Sequence, residues 1–155
     1  MQYMPLGKFR GKSLASLAFF KPDYVCWMLS QEATSGPFCQ AQNGLRALIH
    51  AFDAKPFVVR CAGTNCSTIA TRGFLYTGTP RPGWWCDVCS PMQIGAELGE
   101  LSMIQTYWDA INYVGMWCEG RKRSMELLIR ALARAKGLPA SEQAVEHFFA
   151  STATV

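Results

Sequence analysis

The residues best able to act together chemically are four cysteines. Cys61 and Cys66 bracket Ala-Gly-Thr-Asn, and Cys86 and Cys89 bracket Asp-Val. Two short pairs on separate turns let four thiolates converge tetrahedrally, and Gly63 and Asn65 supply the backbone curvature that the first pair needs. The chemistry this implies is that of a structural Zn2+ ion, because four sulfurs leave no coordination position for a substrate. Nothing in the chain resembles an iron–sulfur cysteine run, and a thioredoxin-like dithiol needs only one pair beside a βαβ unit. The other reading, small buried core cysteines, does not account for two close pairs at loop ends. Zinc held in this way contributes about 10–16 kcal/mol in small zinc peptides, enough to set the fold of the segment. Cys26, Cys39 and Cys118 each stand in an apolar helical context and read as core residues.

Catalytic groupings are not visible along the chain. The histidines, His50 and His147, lie in apolar helical stretches away from any serine or cysteine arrangement typical of nucleophilic catalysis. The 11 acidic residues are spread thinly, with no grouping like a two-metal nuclease centre. The chain is therefore expected to be non-enzymatic.

Basic residues form the second set of candidates. Near the N-terminus the sequence Met4-Pro5-Leu6-Gly7-Lys8-Phe9-Arg10-Gly11-Lys12-Ser13-Leu14 contains Gly-Lys-Ser. It is not a phosphate-binding P-loop, because Leu6 stands where the first glycine is required and there is hardly room for a preceding strand. If the segment is extended, Lys8, Arg10 and Lys12 point to one side and Phe9 to the other, a row of cations able to follow a phosphate backbone. Otherwise they are solvated lysines and arginines on a hairpin whose glycines serve only turns. Tyr24 and Trp27 read as core residues.

The pattern Pro5-Leu6-Gly7-Lys8-Phe9-Arg10-Gly11-Lys12, then Leu14 and Leu17, then Asp23-Tyr24-Val25-Cys26-Trp27, resembles the C-terminal domain of exonuclease-X-like proteins and related small bacterial and phage proteins. Leu6 replaces the aromatic residue usual there. The resemblance covers about thirty residues and implies association with DNA or RNA rather than catalysis.

Farther along, Arg121, Lys122, Arg123, Arg130, Arg134 and Lys136 are accompanied by one acid, Glu126. At 100° per residue, Arg123, Arg130 and Arg134 fall within a narrow arc, while Met125, Leu128, Ile129 and Leu132 occupy the opposite side. Such a helix can lie along phosphates or can simply present a solvated face, and Leu127 on the arginine side hints at a protein partner. Arg72, Arg81, Trp84 and Trp85 add cations and rings beside the cysteines; of two adjacent tryptophans, one can be core and the other exposed.

The elements that must position these residues follow from breaks and periodicity. The chain has 155 residues, half of them apolar, which is enough for a real core. Residues 1–33 read as the basic glycine-lysine module with a short helix capped by Asp23, and residues 34–56 as a helix of about three turns ending at Lys55-Pro56. Residues 57–92 form the four-cysteine element, with β-prone runs at 57–60, 67–70 and 73–76 and a loop at 77–83. Residues 93–155 read as helical. From about Glu97, Leu101, Ile104, Trp108, Ile111 and Met116 form a buried stripe; a helix then runs from Ser124 to Lys136, and Ser141 caps a last one. The fold class is α+β, a small zinc-ribbon-like β element flanked by helices with a C-terminal helical bundle, expected as one compact unit without repeats.

The formal net charge of +4 is compatible with a polyanionic partner but lower than that of a dedicated nucleic-acid coat. An odd cysteine count, 7, and metal-type spacing point to a reducing cytoplasm, and no apolar run is long enough to span a membrane. Together these features point to a zinc-stabilised accessory protein of a bacterium, phage or plasmid that binds DNA or RNA through Lys8, Arg10, Lys12, Arg72, Arg81, Trp84, Arg123, Arg130 and Arg134. Two other classes fit the same features: a subunit of a larger nucleoprotein machine, and a zinc-containing adaptor or inhibitor. In layout, a four-cysteine element followed by helices in a small basic protein is similar to the large-subunit-like components of type IV CRISPR effector complexes, which implies protein and guide-RNA partners.

Overall fold

Ser13 opens the first helix: its hydroxyl accepts from the Ser16 N–H at 3.1 Å, so α1 (Leu14–Phe20) begins at Leu14. The computed structural model describes residues 2–89 and 101–151. The further elements are α2 (Pro22–Ser30), α3 (Gly36–Asp53), β1 (Arg72–Tyr76), β2 (Gly83–Trp85), β3 (Leu101–Ile104), α4 (Tyr107–Trp117), α5 (Lys122–Ala135) and α6 (Glu142–Ser151). The chain is α+β. It divides into two compact units, one of residues 1–54 with 138–155 and the other of residues 55–137.

In the first unit the N-terminal segment folds back on itself. Tyr3 bridges Ser13, the Met4 N–H donates to Lys12 O at 2.8 Å, and the Gly11 N–H donates to Met4 O at 2.9 Å. Gly7 and Gly11 take φ of +78° and +82°, which the return requires and which a side chain would resist. Met4, Leu14, Leu17, Phe19, Val25, Met28, Leu45, Ile49 and Phe52 are buried together, with the Phe19 ring 4.9 Å from Phe52 and 5.8 Å from Phe149 of α6. Gln42 is buried in α3 and donates to Met28 O and Gln31 O at 2.7 and 2.8 Å, closing the C-terminal end of α2.

The contact between α1 and α6 is polar at one end. Ser13 Oγ donates to Glu146 at 2.7 Å, Ser16 Oγ donates to Glu142, and Lys12 pairs with Glu142 at 3.2 Å. Two carboxylates one turn apart on α6 thus meet the positive end of α1, where negative charge is favoured.

In the second unit β1 is the central strand of an antiparallel sheet in the order β2-β1-β3, with Gly73 opposite both Trp84 and Ile104. α4 starts at a reciprocal cap: Thr106 accepts from the Asp109 N–H, and the Asp109 carboxylate accepts from the Thr106 N–H. α4 and α5 pack on each other, and α5 buries Leu128, Ile129 and Leu132 as its periodicity predicts. The Val58 N–H donates to Ala135 O at 2.8 Å, bringing the two ends of this unit together.

Several sequence expectations change. α3 runs over 18 residues, Gly36–Asp53, rather than about three turns, since Pro37 falls in the first turn, where its missing N–H is harmless. Leu101 and Ile104 belong to strand β3, where a three-residue step turns them to opposite faces, Ile104 buried and Leu101 half-buried. Glu97, the expected start of that helix, lies outside the described residues. The buried stripe of α4 is Tyr107, Ala110, Tyr113 and Val114, while Trp108 and Met116 are exposed; the cap at Thr106 sets that register. Arg60 and Ile69 form one bridge in place of two β-prone strands. The expected continuous region 93–155 is divided, since α6 packs on α1 and belongs to the first unit.

The hydrogen bond from Ser16, assisted by Lys12, holds the Glu142 carboxyl below the usual glutamate range. A group depressed on folding contributes stability that is complete above its unfolded pKa and is lost as pH falls through the folded one. Glu142→Gln should therefore remove part of the acid limb of the unfolding curve and lower stability at neutral pH by about 1 kcal/mol at most, because the side chain is 40% exposed and screened. Urea unfolding at pH 7 and pH 4 measures both.

Candidate metal centre and basic groove

The first cysteine pair sits on a hairpin tied at its base by the Cys61 N–H donating to Thr68 O and the Ala70 N–H donating to Val59 O, both at 2.9 Å. Between the cysteines the chain turns through Asn65 at φ +58°, and the Cys66 N–H donates to Gly63 O at 3.1 Å. The second pair follows directly from β2. This strand is joined to the first hairpin by the Ala62 N–H donating to Trp84 O at 2.8 Å and the Thr71 N–H donating to Trp85 O at 2.9 Å. Two local turns, cross-linked by backbone hydrogen bonds, bring the four sulfurs within 4.8 Å of one another.

Cys66 Sγ and Cys86 Sγ are 3.9 Å apart. Tetrahedral ligation with metal–sulfur bonds of about 2.3 Å places sulfurs about 3.8 Å apart, so the donor set is already near the spacing a metal requires. Backbone N–H groups point at the sulfurs: Gly63 and Cys86 donate to Cys61 Sγ at 3.3 Å, and Cys89 donates to Cys86 Sγ at 3.4 Å. Such bonds favour thiolate over thiol. Cys61 and Cys86 are buried at 7% and 4% exposure, and Cys66 and Cys89 are half-buried.

The titration of the sulfurs fits a shared site. Hydrogen bonds from Thr68 hold the Cys66 thiol down to about 7, and the Cys89 N–H lowers that of Cys86. The Cys89 thiol is pushed up to about 12 by its hydrogen bonds to Cys66 and Cys86, because four thiolates this close repel and some must share protons. A divalent cation relieves the same repulsion without protons, so the cluster can hold a metal ion.

Gly63 is required by packing rather than by conformation. A Cβ there would meet Cys89 Cβ and Sγ at 2.8 Å and Cys61 Sγ at 3.4 Å. Beside the cluster, Asp87 accepts from Thr71 Oγ1 at 2.8 Å and pairs with Arg72, and this environment, Thr71 first, holds its carboxyl below the ordinary range. Arg72 is thereby a brace between β1 and the second cysteine turn.

Trp84 lies across the central strand. Its ring occupies the space over Gly73, where a Cβ would meet it at 2.6 Å, and it packs 5.5 Å from Phe57. Trp84 and Trp85 are both half-buried, so the expected division into one core and one exposed tryptophan does not occur: in a short strand with each face part-covered, alternate rings are each part-covered. Trp84 also lines a groove of about 390 Å³ with Arg81, Arg134, Leu127, Pro80 and Pro82. The loop before β2 is stitched to α4 by Tyr113, whose hydroxyl donates to Thr79 O at 2.9 Å, accepts from the Thr79 N–H at 3.1 Å and also bonds Tyr76 O.

The sequence-derived contact residues are thus distributed unequally. Arg81, Trp84 and Arg134 meet around one groove. Arg130 is half-buried and donates to Glu126 O at 3.3 Å, while Arg123 is exposed. Lys8, Arg10 and Lys12 belong to the first unit; residues 8–11 are a tight turn, not a strand, so the three cations do not form a row along a sheet face. The Arg10 N–H donates to Gly7 O, and the two glycines at positive φ impose that turn. His50 and His147 are exposed on α3 and α6.

No protein-family model, curated protein or solved structure matches the chain. No helix among the described residues is long and apolar enough to cross a membrane.

Cys86→Ser should abolish stoichiometric metal retention and, with it, the native near-ultraviolet signal of Trp84 and Trp85, which flank the cluster. Gly63→Ala should keep the secondary structure but lower metal affinity at least tenfold, since Cys89 must move to admit the methyl group. Competition against a chromophoric chelator measures the metal affinity of each.

Proposed function

We propose that this chain is a non-catalytic, nucleic-acid-binding accessory protein of a bacterium, phage or plasmid, working in the reducing cytoplasm and stabilised by a structural Zn2+ ion on Cys61, Cys66, Cys86 and Cys89. The observation that carries this reading is the groove where Arg81, Trp84 and Arg134 meet. Two guanidinium groups flanking an aromatic and apolar cleft suit a phosphate backbone whose sugars or bases enter the cleft. The strand that carries Trp84 ends at Cys86, so a metal holding the cysteines would also hold the groove. Four sulfur ligands fill a tetrahedral zinc, which supports a structural role for the ion.

A second reading, a subunit of a larger nucleoprotein assembly such as a CRISPR effector, is favoured by exposed apolar side chains in the same unit. Val88 is 76% and Met116 72% exposed, and Trp117 and Leu127 are also accessible. Such residues suit burial against a protein partner. An adaptor or inhibitor that contacts protein alone shares this feature but leaves the arginine-lined groove without a role.

The zinc-loaded chain should bind DNA or RNA on its own, with affinity falling steeply as salt rises. The double variant Arg81→Ala/Arg134→Ala should weaken binding and reduce the salt slope by about 2 for duplex DNA, at about 0.9 per phosphate contact. Fluorescence anisotropy across a salt series decides this: binding that is absent, or insensitive to salt, rejects the proposal, and binding that appears only on co-expression with host partners supports the assembly reading.

A further inference from the structure

The first unit carries a row of aromatic rings that its core does not consume. Phe9, at the glycine-lysine turn, meets Tyr24 edge-on at 4.6 Å; Tyr24 stacks on Trp27 at 5.2 Å and 30°; and Phe38 of α3 meets Trp27 edge-on at 6.4 Å. The core beneath is completed by Val25 and Met28, which are fully buried, whereas Trp27 is 51% exposed. The reading of Trp27 as a core residue is therefore corrected: the three-residue step from Tyr24 carries the ring onto the surface, while the four-residue step to Met28 carries the thioether inward.

The turn is built onto this row. Gly7, at φ +78°, has the Tyr24 hydroxyl 3.5 Å from where a Cβ would be, so Tyr24 seats both the glycine and the Phe9 ring. Lys8 Nζ then lies 5.4 Å from the Phe9 centroid. Lys8 and Arg10 are exposed, and among the described residues neither is ion-paired, whereas Lys12 is taken by Glu142. Asp23, the residue before Tyr24, stands in the first turn of α2.

From this geometry we infer that Tyr24 and Trp27, with Lys8 and Arg10 beside them, form a stacking platform for single-stranded nucleic acid, distinct from the groove of the second unit. The exposed Trp27 ring, backed by half-buried Tyr24, offers an unpaired base a stacking surface, and the two cations meet the phosphates of the same strand. A duplex keeps its base faces covered and gains only the ionic contacts. The inference deepens the nucleic-acid reading by naming a strand type, but it rests on different residues.

The test uses the zinc-loaded full chain with labelled oligothymidylate, oligouridylate and a duplex of equal length. Wild type should bind one or both single strands more tightly than duplex, and comparison of the two single strands assigns DNA or RNA. Trp27→Ala should lower single-strand affinity ten- to a hundredfold, the range that loss of one stacked base implies, without changing the salt slope or duplex binding. Trp27→Phe should recover most of the loss, and Lys8→Ala should reduce the single-strand salt slope by about 0.7. Circular dichroism melts confirm folding, which removal of a half-exposed ring should preserve. Unchanged single-strand binding by Trp27→Ala overturns the inference, as does a wild type that prefers duplex. Dimerisation of wild type that Trp27→Ala abolishes, with oligonucleotide binding unaltered, overturns it in favour of a protein contact. The Arg81→Ala/Arg134→Ala variant separates the two proposals: if it alone loses binding, the groove stands and the platform falls, and the reverse result leaves the platform standing without the groove.

Discussion

Convergence of four sulfur atoms governs the cysteine-bearing segment of the second unit, because so little else holds it. Between residues 57 and 71 the chain makes one β-bridge, and its buried side chains are few: Phe57, Cys61 and Ala70. The two cysteine turns are joined by backbone hydrogen bonds to β2, and β2 itself is three residues long. One bridge and a three-residue edge strand give this segment less pairing than a hairpin needs to be stable by itself, so it depends on a further constraint. A metal on the four sulfurs would supply it, and the order it imposed would pass along β2 to Trp84 and across Gly73 to the central strand.

The first unit is organised differently. Its helices bury a conventional apolar core, and polarity enters where it completes a helix end: Gln42 closes α2, while Glu142 and Glu146 meet the start of α1. The second unit also buries an apolar core, from Phe74 and Leu75 through Ile104 to Leu128 and Leu132, but its cysteine-bearing segment lies outside that core, and the surface features that could recognise a nucleic acid differ between the units. A groove between arginines stands beside the cysteines, and an aromatic row stands on α2.

Features fixed by neighbours in sequence were legible before the fold was known. The cysteine pairs read as a metal site because both turns are local, and the buried face of α5 follows from its period. What was missed depends on distant partners. Lys12 and Arg72 looked like free cations until Glu142 and Asp87 were found beside them. Trp27 looked like core, because helical spacing places Tyr24, Trp27 and Met28 on one broad face without saying which edge is covered. Leu101 and Ile104 looked helical because two apolar residues three apart share a helix face, whereas in the strand they fall on opposite faces. The Thr106 to Asp109 spacing, a recognisable capping pattern, was the local sign that the helix starts later. Packing contributions such as Gly63 against Cys89, or Gly73 beneath Trp84, have no signature in a single sequence.

The chain path gives the Val58 to Ala135 hydrogen bond a wider meaning. Residues 55–137 are inserted into the chain of the other unit, which is completed only when α6 returns to α1. With the insert folded and its ends held together, that return closes a short loop; with the insert unfolded, it must close one on the order of 80 residues long. The entropic difference is about 2 to 3 kcal/mol by the logarithmic dependence of closure on length. A metal bound in the insert would thus stabilise the helical unit through the chain connection, and during synthesis the contiguous insert can fold before α6 emerges.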